Sequence, residues 1–157
     1  MNLWLKIDKI NYQTTDDILT ELKKKNFFVS PWIEDIFSNK KKNFSKIKLP
    51  VSLFRVKLSD MGFEKPKKLQ EFYKKSEEEG FNLVTPELAL ITRELYVDQP
   101  TGEWLRFATP LDSMIDSDGV PHLPKLGKAL NKFFIETYWS YPKAIFHPHN
   151  EFILKKK

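Results

Sequence analysis

The chain has 157 residues, 41% of them hydrophobic and 14% aromatic, and its 26 basic against 21 acidic side chains give a net charge of +5. That length fits one domain, residues 1–157, able to bury roughly two thirds of its unfolded surface without a staple. The absence of cysteine excludes disulfide frameworks, thiolate zinc sites, iron–sulfur clusters and cysteine nucleophiles.

In chain order, Thr14-Thr15-Asp16-Asp17 supplies cap residues and first-turn acids ahead of Ile18, Leu19 and Leu22. The spacing predicts an amphipathic helix over about 16–25, with Asn26 in the left-handed position after it. Ser30-Pro31 reads as a cap and first-turn proline for a second helix that buries Trp32, Ile33, Ile36 and Phe37. Ser38 to Pro50 is polar and lysine-rich, an exposed loop dividing a helical part (about 1–48) from a strand-rich part (about 50–157). Val51 to Leu58 alternates as a first strand, with Phe54, Val56 and Leu58 inward. A third helix begins at Pro66, carries Leu69, Phe72 and Tyr73 inward and stops at Gly80. Thr85-Pro86-Glu87 opens a short turn of helix through Ala89.

From Ile91 the period changes to two. Residues 91–97 and 103–109 are expected as the arms of a hairpin turning at Asp98-Gln99-Pro100-Thr101-Gly102. Asp116-Ser117-Asp118-Gly119 is a second turn of hairpin type. Residues 120–126, 132–140 and 151–155 are further strands. Helices first and strands after argue an α+β fold: short N-terminal helices, then a mainly antiparallel sheet of five to six strands with one or two inserted helices.

The residues VKLSDMGF (56–63), Pro86-Glu87, Arg93, Tyr96, the string DQPTGEW (98–104) and DSDGVP (116–121) resemble a group of small bacterial proteins sharing a DQPxGEW…DSDGxP pattern. Residues 28–36 (FVSPWIEDI) resemble theirs as well, so the likeness covers most of the chain. It implies common ancestry and fold, and it attaches no activity, cofactor or partner. Where those proteins carry acidic, tryptophan-containing text before the last strand, this chain has His147-Pro148-His149-Asn150.

Four constellations bear on function. Glu87, Arg93 and Glu103, with Tyr96 and Arg106, lie on or beside the expected hairpin. Arg93 facing Glu103 across it would set a general base beside an anion clamp, as phosphodiester cleavage needs, with His147 or His149 as acid. The bland reading is a cross-strand ion pair. The two histidines could also be two legs of a metal site completed by His122, Glu151 or Asp118, although a surface turn fits His-Pro-His better and no metal is expected. Asp112 with Asp116, Ser117, Asp118 and Gly119 begins like a calcium loop. The twelfth position falls on Leu123 or Gly127, so a turn is the better account. Finally Trp4, Tyr12, Trp139 and Tyr141, near Phe133, Phe134 and Tyr138, exceed what a core needs. With Lys40 to Lys42 and Lys67-Lys68 they suit either a protein interface or single-stranded nucleic acid.

Only three of the basic residues are arginines, Arg55, Arg93 and Arg106, which argues for a solvated lysine surface over phosphate readout. The five glycines are scattered, so no phosphate-cradling loop and no cofactor is expected. Every catalytic set lacks a member. The expectation is therefore a non-enzymatic module that binds another protein, with Tyr96, Asp98, Gln99, Trp104 and Arg106 as contact residues. The alternatives are a small metal-independent nuclease or toxin-like hydrolase using the Glu/Arg/His set, and a weak nucleic-acid binder. No apolar run approaches the ~20 residues that cross a bilayer. The start Met1 to Asp8 has no signal-peptide character, so a cytoplasmic location without a membrane partner is expected.

Overall fold

Helix ends form where the side chains dictate them. Thr14 and Asp17 bond each other's backbone amides in a reciprocal cap that starts helix α1 (Thr15–Lys24), and Asn26 takes φ 62 just beyond its end. The Ser30 hydroxyl accepts from the Ile33 amide to start α2 (Pro31–Asn39). The third helix, α3 (Leu69–Glu78), buries Leu69, Phe72 and Tyr73, and Gly80 follows at φ 93. The computed structural model describes residues 3–39 and 43–157. The run Lys40-Lys41-Lys42 lies outside the described residues.

The strands are β1 (Leu3–Ile7), β2 (Phe28–Val29), β3 (Val51–Lys57), β4 (Lys67–Lys68), β5 (Phe81–Asn82), β6 (Trp104–Phe107), β7 (His122–Ala129), β8 (Lys132–Trp139), β9 (Ile145–Phe146) and β10 (Glu151–Lys156). One sheet runs β1-β3-β10-β6-β7-β8-β2, with β5 also on β10, while β4 and β9 form a small separate pair. Pairing is antiparallel except for β10 with β6 and β2 with β8. The fold is thus α+β with a mostly antiparallel sheet, larger than the five to six strands expected.

The sheet is packed on both faces. Ile18, Leu22, Ile33, Ile36, Leu53, Leu105, Leu126 and Ile135 belong to one buried cluster, and Phe54, Val56, Leu69, Phe72, Leu123 and Phe152 to the other. Strand β3 therefore buries residues on both sides, which the alternation in 51–58 hid.

The main correction concerns the hairpin at 98–102. Its first arm is helix: α4 (Glu87–Leu95) buries Leu88 through Arg93. The helix started by Thr85-Pro86 simply continues, because Leu88, Ile91, Thr92 and Leu95 recur at helical spacing and their surroundings reward it. The short turn expected to stop at Ala89 is its first turn. Asp98 to Gly102 joins α4 to β6, whose partners are β7 and β10. Asp116 to Gly119 forms a turn closed by a single bridge, Ile115 to Pro121. The long hairpin is β7–β8, which turns at Leu130 and Asn131 with φ 50 and 59, the angles of the primed turn that twisted strands favour. The N-terminal part is not wholly helical, since β1 and β2 lie in it. Within the supposed exposed loop, Phe44 is buried.

Candidate functional site

Arg93 is the most buried charge, at 0% exposure. From α4 its guanidinium donates to the carbonyls of Tyr96 (2.6 Å), Gly127 (3.1 Å) and Phe134 (3.1 Å) and to Gln99 Oε1 (2.7 Å). It lies 4.8 Å from the Phe133 ring centroid. Burial pulls its pKa down to about 10, only partly offset by Tyr96 and Glu103. Gln99 is itself buried, and its amide donates to the carbonyls of Glu103 and Leu126, both at 3.1 Å. Gly102, at φ 88, donates its amide to Lys128. The Asp-Gln-Pro-Thr-Gly string is therefore an internal brace that fastens the α4–β6 loop to β7. Asp98 sits exposed on it.

Glu103 meets a different arginine from the one expected. Arg55 Nη2 lies 2.9 Å from Glu103 and 2.7 Å from Glu151, and Arg55 Nε donates to Glu151 at 2.8 Å. The Tyr96 hydroxyl donates to Glu103 at 2.8 Å, and Trp4 packs edge-on to the Tyr96 ring at 5.1 Å. These hydrogen bonds, that to Glu151 foremost, raise the pKa of Arg55, while burial and then Glu103 raise that of Tyr96. One guanidinium holds both carboxylates, so this is a structural ion-pair node. Its sequence signal was Arg55, a lone charge inside an apolar strand.

The remaining candidates are dispersed. Glu87 opens α4 beside a cavity of about 420 Å³ shared with Lys46, Lys48 and Lys155. His147 and His149 stack on each other at 5.8 Å in the β9–β10 turn, where Asn150 Oδ1 accepts from the His147 amide. Of the third ligands considered, Glu151 is held by Arg55 and His122 by other partners. Among the described residues no three metal-ligating side chains converge. The Glu/Arg/His set is not assembled: Arg93 makes no bond to Glu103 or Glu87, and neither contacts a histidine.

His122 marks a place that spacing did not single out. Its Nε2 lies 2.8 Å from Asp116 Oδ2 and its Nδ1 2.9 Å from the Thr137 hydroxyl, and both His122 and Asp116 are buried. Asp116 Oδ1 also accepts from the amides of Asp118 and Val120. These bonds, that from His122 first, hold the Asp116 pKa below the ordinary aspartate value. With the Asp116 carboxylate as acceptor, Nε2 carries a proton, and the Thr137 hydroxyl can donate to or accept from Nδ1. Trp32 tilts over the imidazole at 5.4 Å. Above it opens a pocket of about 390 Å³ walled by Trp32, Val120, Tyr138 and Trp139, with Asp118 and Lys125 at its border. Trp32 is 48% and Trp139 57% exposed.

The same pocket adjoins a stretch of β8 edge that no strand among the described residues covers. Strand β2 covers β8 only at Phe134 and Ile135, and the Ser30 amide donates to the Ile135 carbonyl. By the two-residue alternation of a strand, Thr137 and Trp139 turn their backbone groups to that same edge. Across from Thr137 stands Pro124, which has no amide to donate. Among the described residues no strand continues β2 along this edge.

No family model, curated protein or solved structure matches the chain. The functional reading therefore rests on geometry.

Proposed function

We propose that the protein is a non-enzymatic binding module that takes an extended segment of another protein along the β8 edge. The backbone of that segment pairs with Thr137 and Trp139, and one of its apolar side chains enters the pocket between Trp32 and Trp139. The observation that carries this reading is the pair of half-exposed tryptophans beside an unpartnered strand edge. Tryptophans are favoured anchors at interfaces, and a free edge is a template for strand addition. The buried His122–Asp116–Thr137 chain gives the pocket a rigid floor. A hydrolase is disfavoured because Arg93, Glu103 and the histidines each have separate structural partners.

The test is selection of peptides from a random display library on the folded protein, repeated with Trp32→Ala and Trp139→Ala. The reading expects enriched peptides with an alternating apolar pattern whose affinity falls at least tenfold in either variant. Failure to enrich any peptide, or peptides indifferent to both substitutions, would overturn it.

A further inference from the structure

A second surface, made by the opposite face of β6, β7 and β8, carries a separate inference. Register places Trp104 and Arg106 of β6, Lys125 and Gly127 of β7 and Phe134 and Tyr138 of β8 on that face, away from Thr137 and His122. Trp104 lies flat on Gly127: a Cβ added there would come within 2.3 Å of the ring, so a side chain at 127 and the indole exclude each other. One indole face is thereby held against the sheet, and the residue is half-buried. Phe134 and then Phe28 extend the aromatic surface, at centroid steps of 6.4 and 5.0 Å.

Beside this platform are two cations that no carboxylate among the described residues pairs directly. Arg106 and Lys125 are direct cross-strand neighbours, an arrangement that is destabilising for like charges. Lys125 Nζ lies 4.6 Å from the Trp104 centroid, and the Arg106 guanidinium 5.4 Å from that of Tyr138. Neither makes a hydrogen bond or ion pair among the described residues, and Arg106 Nε is buried with no acceptor. Glu136 stands opposite Lys125 in register without closing to ion-pair distance. Burial lowers the pKa of both cations; for Lys125, Glu136 opposes this and Arg106 adds to it. The pair is thus poised for an external oxyanion.

We propose that this face binds single-stranded nucleic acid, a base stacking on the aromatic surface that runs from Trp104 through Phe134 to the exposed Phe28 while Arg106 and Lys125 hold the adjoining phosphate. A flat ring next to a paired cation matches the two halves of a nucleotide, and stacking on an aromatic platform tolerates any base. The chain's net charge of +5 favours the approach of a polyanion. An acidic peptide would satisfy the cations but leave the flat indole without a matching ring.

The experiment is fluorescence anisotropy of labelled twelve-nucleotide oligo-dT and oligo-rU at low and at elevated salt. Lys125→Gln, Arg106→Gln and, as control, Lys75→Gln on α3 are compared, with folding checked by circular dichroism. One or two phosphate contacts predict a log–log salt slope of about −0.7 to −1.4. Lys125→Gln and Arg106→Gln should each weaken binding about tenfold, and Lys75→Gln should leave it unchanged. If Arg106→Gln does not fold, Lys125→Gln alone decides. No binding at low salt, binding indifferent to Lys125→Gln, or polyglutamate of equal charge competing as well as the oligonucleotide would each overturn the proposal. Lys125 and Tyr138 also border the pocket of the peptide reading, so Trp32→Ala and Trp139→Ala separate the two: both should leave oligonucleotide binding unchanged.

Discussion

Replacing Arg93 by methionine tests whether this residue is a brace or a reagent. The substitution removes a charge whose burial, with the pKa near 10 against an ordinary 12.5, corresponds to about 3 kcal/mol in favour of the neutral form. It also removes four hydrogen bonds from a charged donor, to Tyr96, Gln99, Gly127 and Phe134. At the low end of ~1.5 kcal/mol each, these amount to about 6 kcal/mol. The carbonyls of Gly127 and Phe134 face each other in the β7–β8 register and keep strand partners, which is why the low end applies. The net expectation is a loss of about 3 kcal/mol, or roughly 10 °C in Tm for a domain of this size. Urea unfolding followed by circular dichroism measures it, and Gln99→Leu completes a double-mutant cycle whose coupling should exceed ~1 kcal/mol, since the two side chains share one network. An Arg93→Met protein as stable as the parent would refute the account of the loop as an internal brace.

Gly127→Ala drives a methyl group into the Trp104 ring and should cost ~1–3 kcal/mol through overpacking, with a shift in tryptophan emission as the indole lifts; unchanged stability and emission would contradict the flat-ring geometry. Glu103→Gln and Glu151→Gln should each cost ~1 kcal/mol, and the double variant more than their sum, because either carboxylate alone still pairs Arg55 and only the double loss strips it of both; thermal melts check this, and strict additivity would count against a shared node. Asp116 has a depressed folded-state pKa, so its stabilisation is full above the ordinary aspartate value near 3.9 and is lost as pH falls through the folded-state value. Asp116→Asn should therefore flatten the acid limb of the stability–pH curve below about pH 4 relative to the parent, as urea midpoints across that limb will show; identical limbs would contradict the assignment.

Local signals were legible wherever a cap or a special backbone angle fixed an element. Thr14, Ser30-Pro31, Asn26 and Gly80 announced helix ends that the structure has, and 132–140 read as the strand it is. What misled was burial on more than one side. Residues 91–97 are rich in β-branched and aromatic side chains (Ile91, Thr92, Tyr96, Val97), and Arg93 points inward as a fully desolvated donor, so a strand was expected where a helix runs. Phe54 and Leu53 are both buried because helices and loops cover each face of β3, which erases the alternation of a half-exposed strand. Long-range pairing was the least visible. Nothing local to Arg55 says that Glu103 and Glu151 will converge on it from β10 and the start of β6. Likewise His122 gains its role only because the 116–120 turn brings Asp116 under it, and because β8 sets Thr137 on the same face. Of the residues expected to make contacts, Gln99 proved to be buried brace and Tyr96 part of an ion-pair node, whereas Trp104 and Arg106 lie on the face argued to bind an oxyanion beside a ring.

The four tryptophans provide the most direct measurement. In a two-dimensional proton–nitrogen spectrum of the uniformly labelled protein, Trp4, Trp32, Trp104 and Trp139 give four indole signals, assigned by single substitutions. Titration with a selected peptide should move Trp32 and Trp139 and leave Trp4 and Trp104 in place. A peptide that moves Trp4 or Trp104 alone, or leaves all four signals fixed, would contradict binding at the β8 edge.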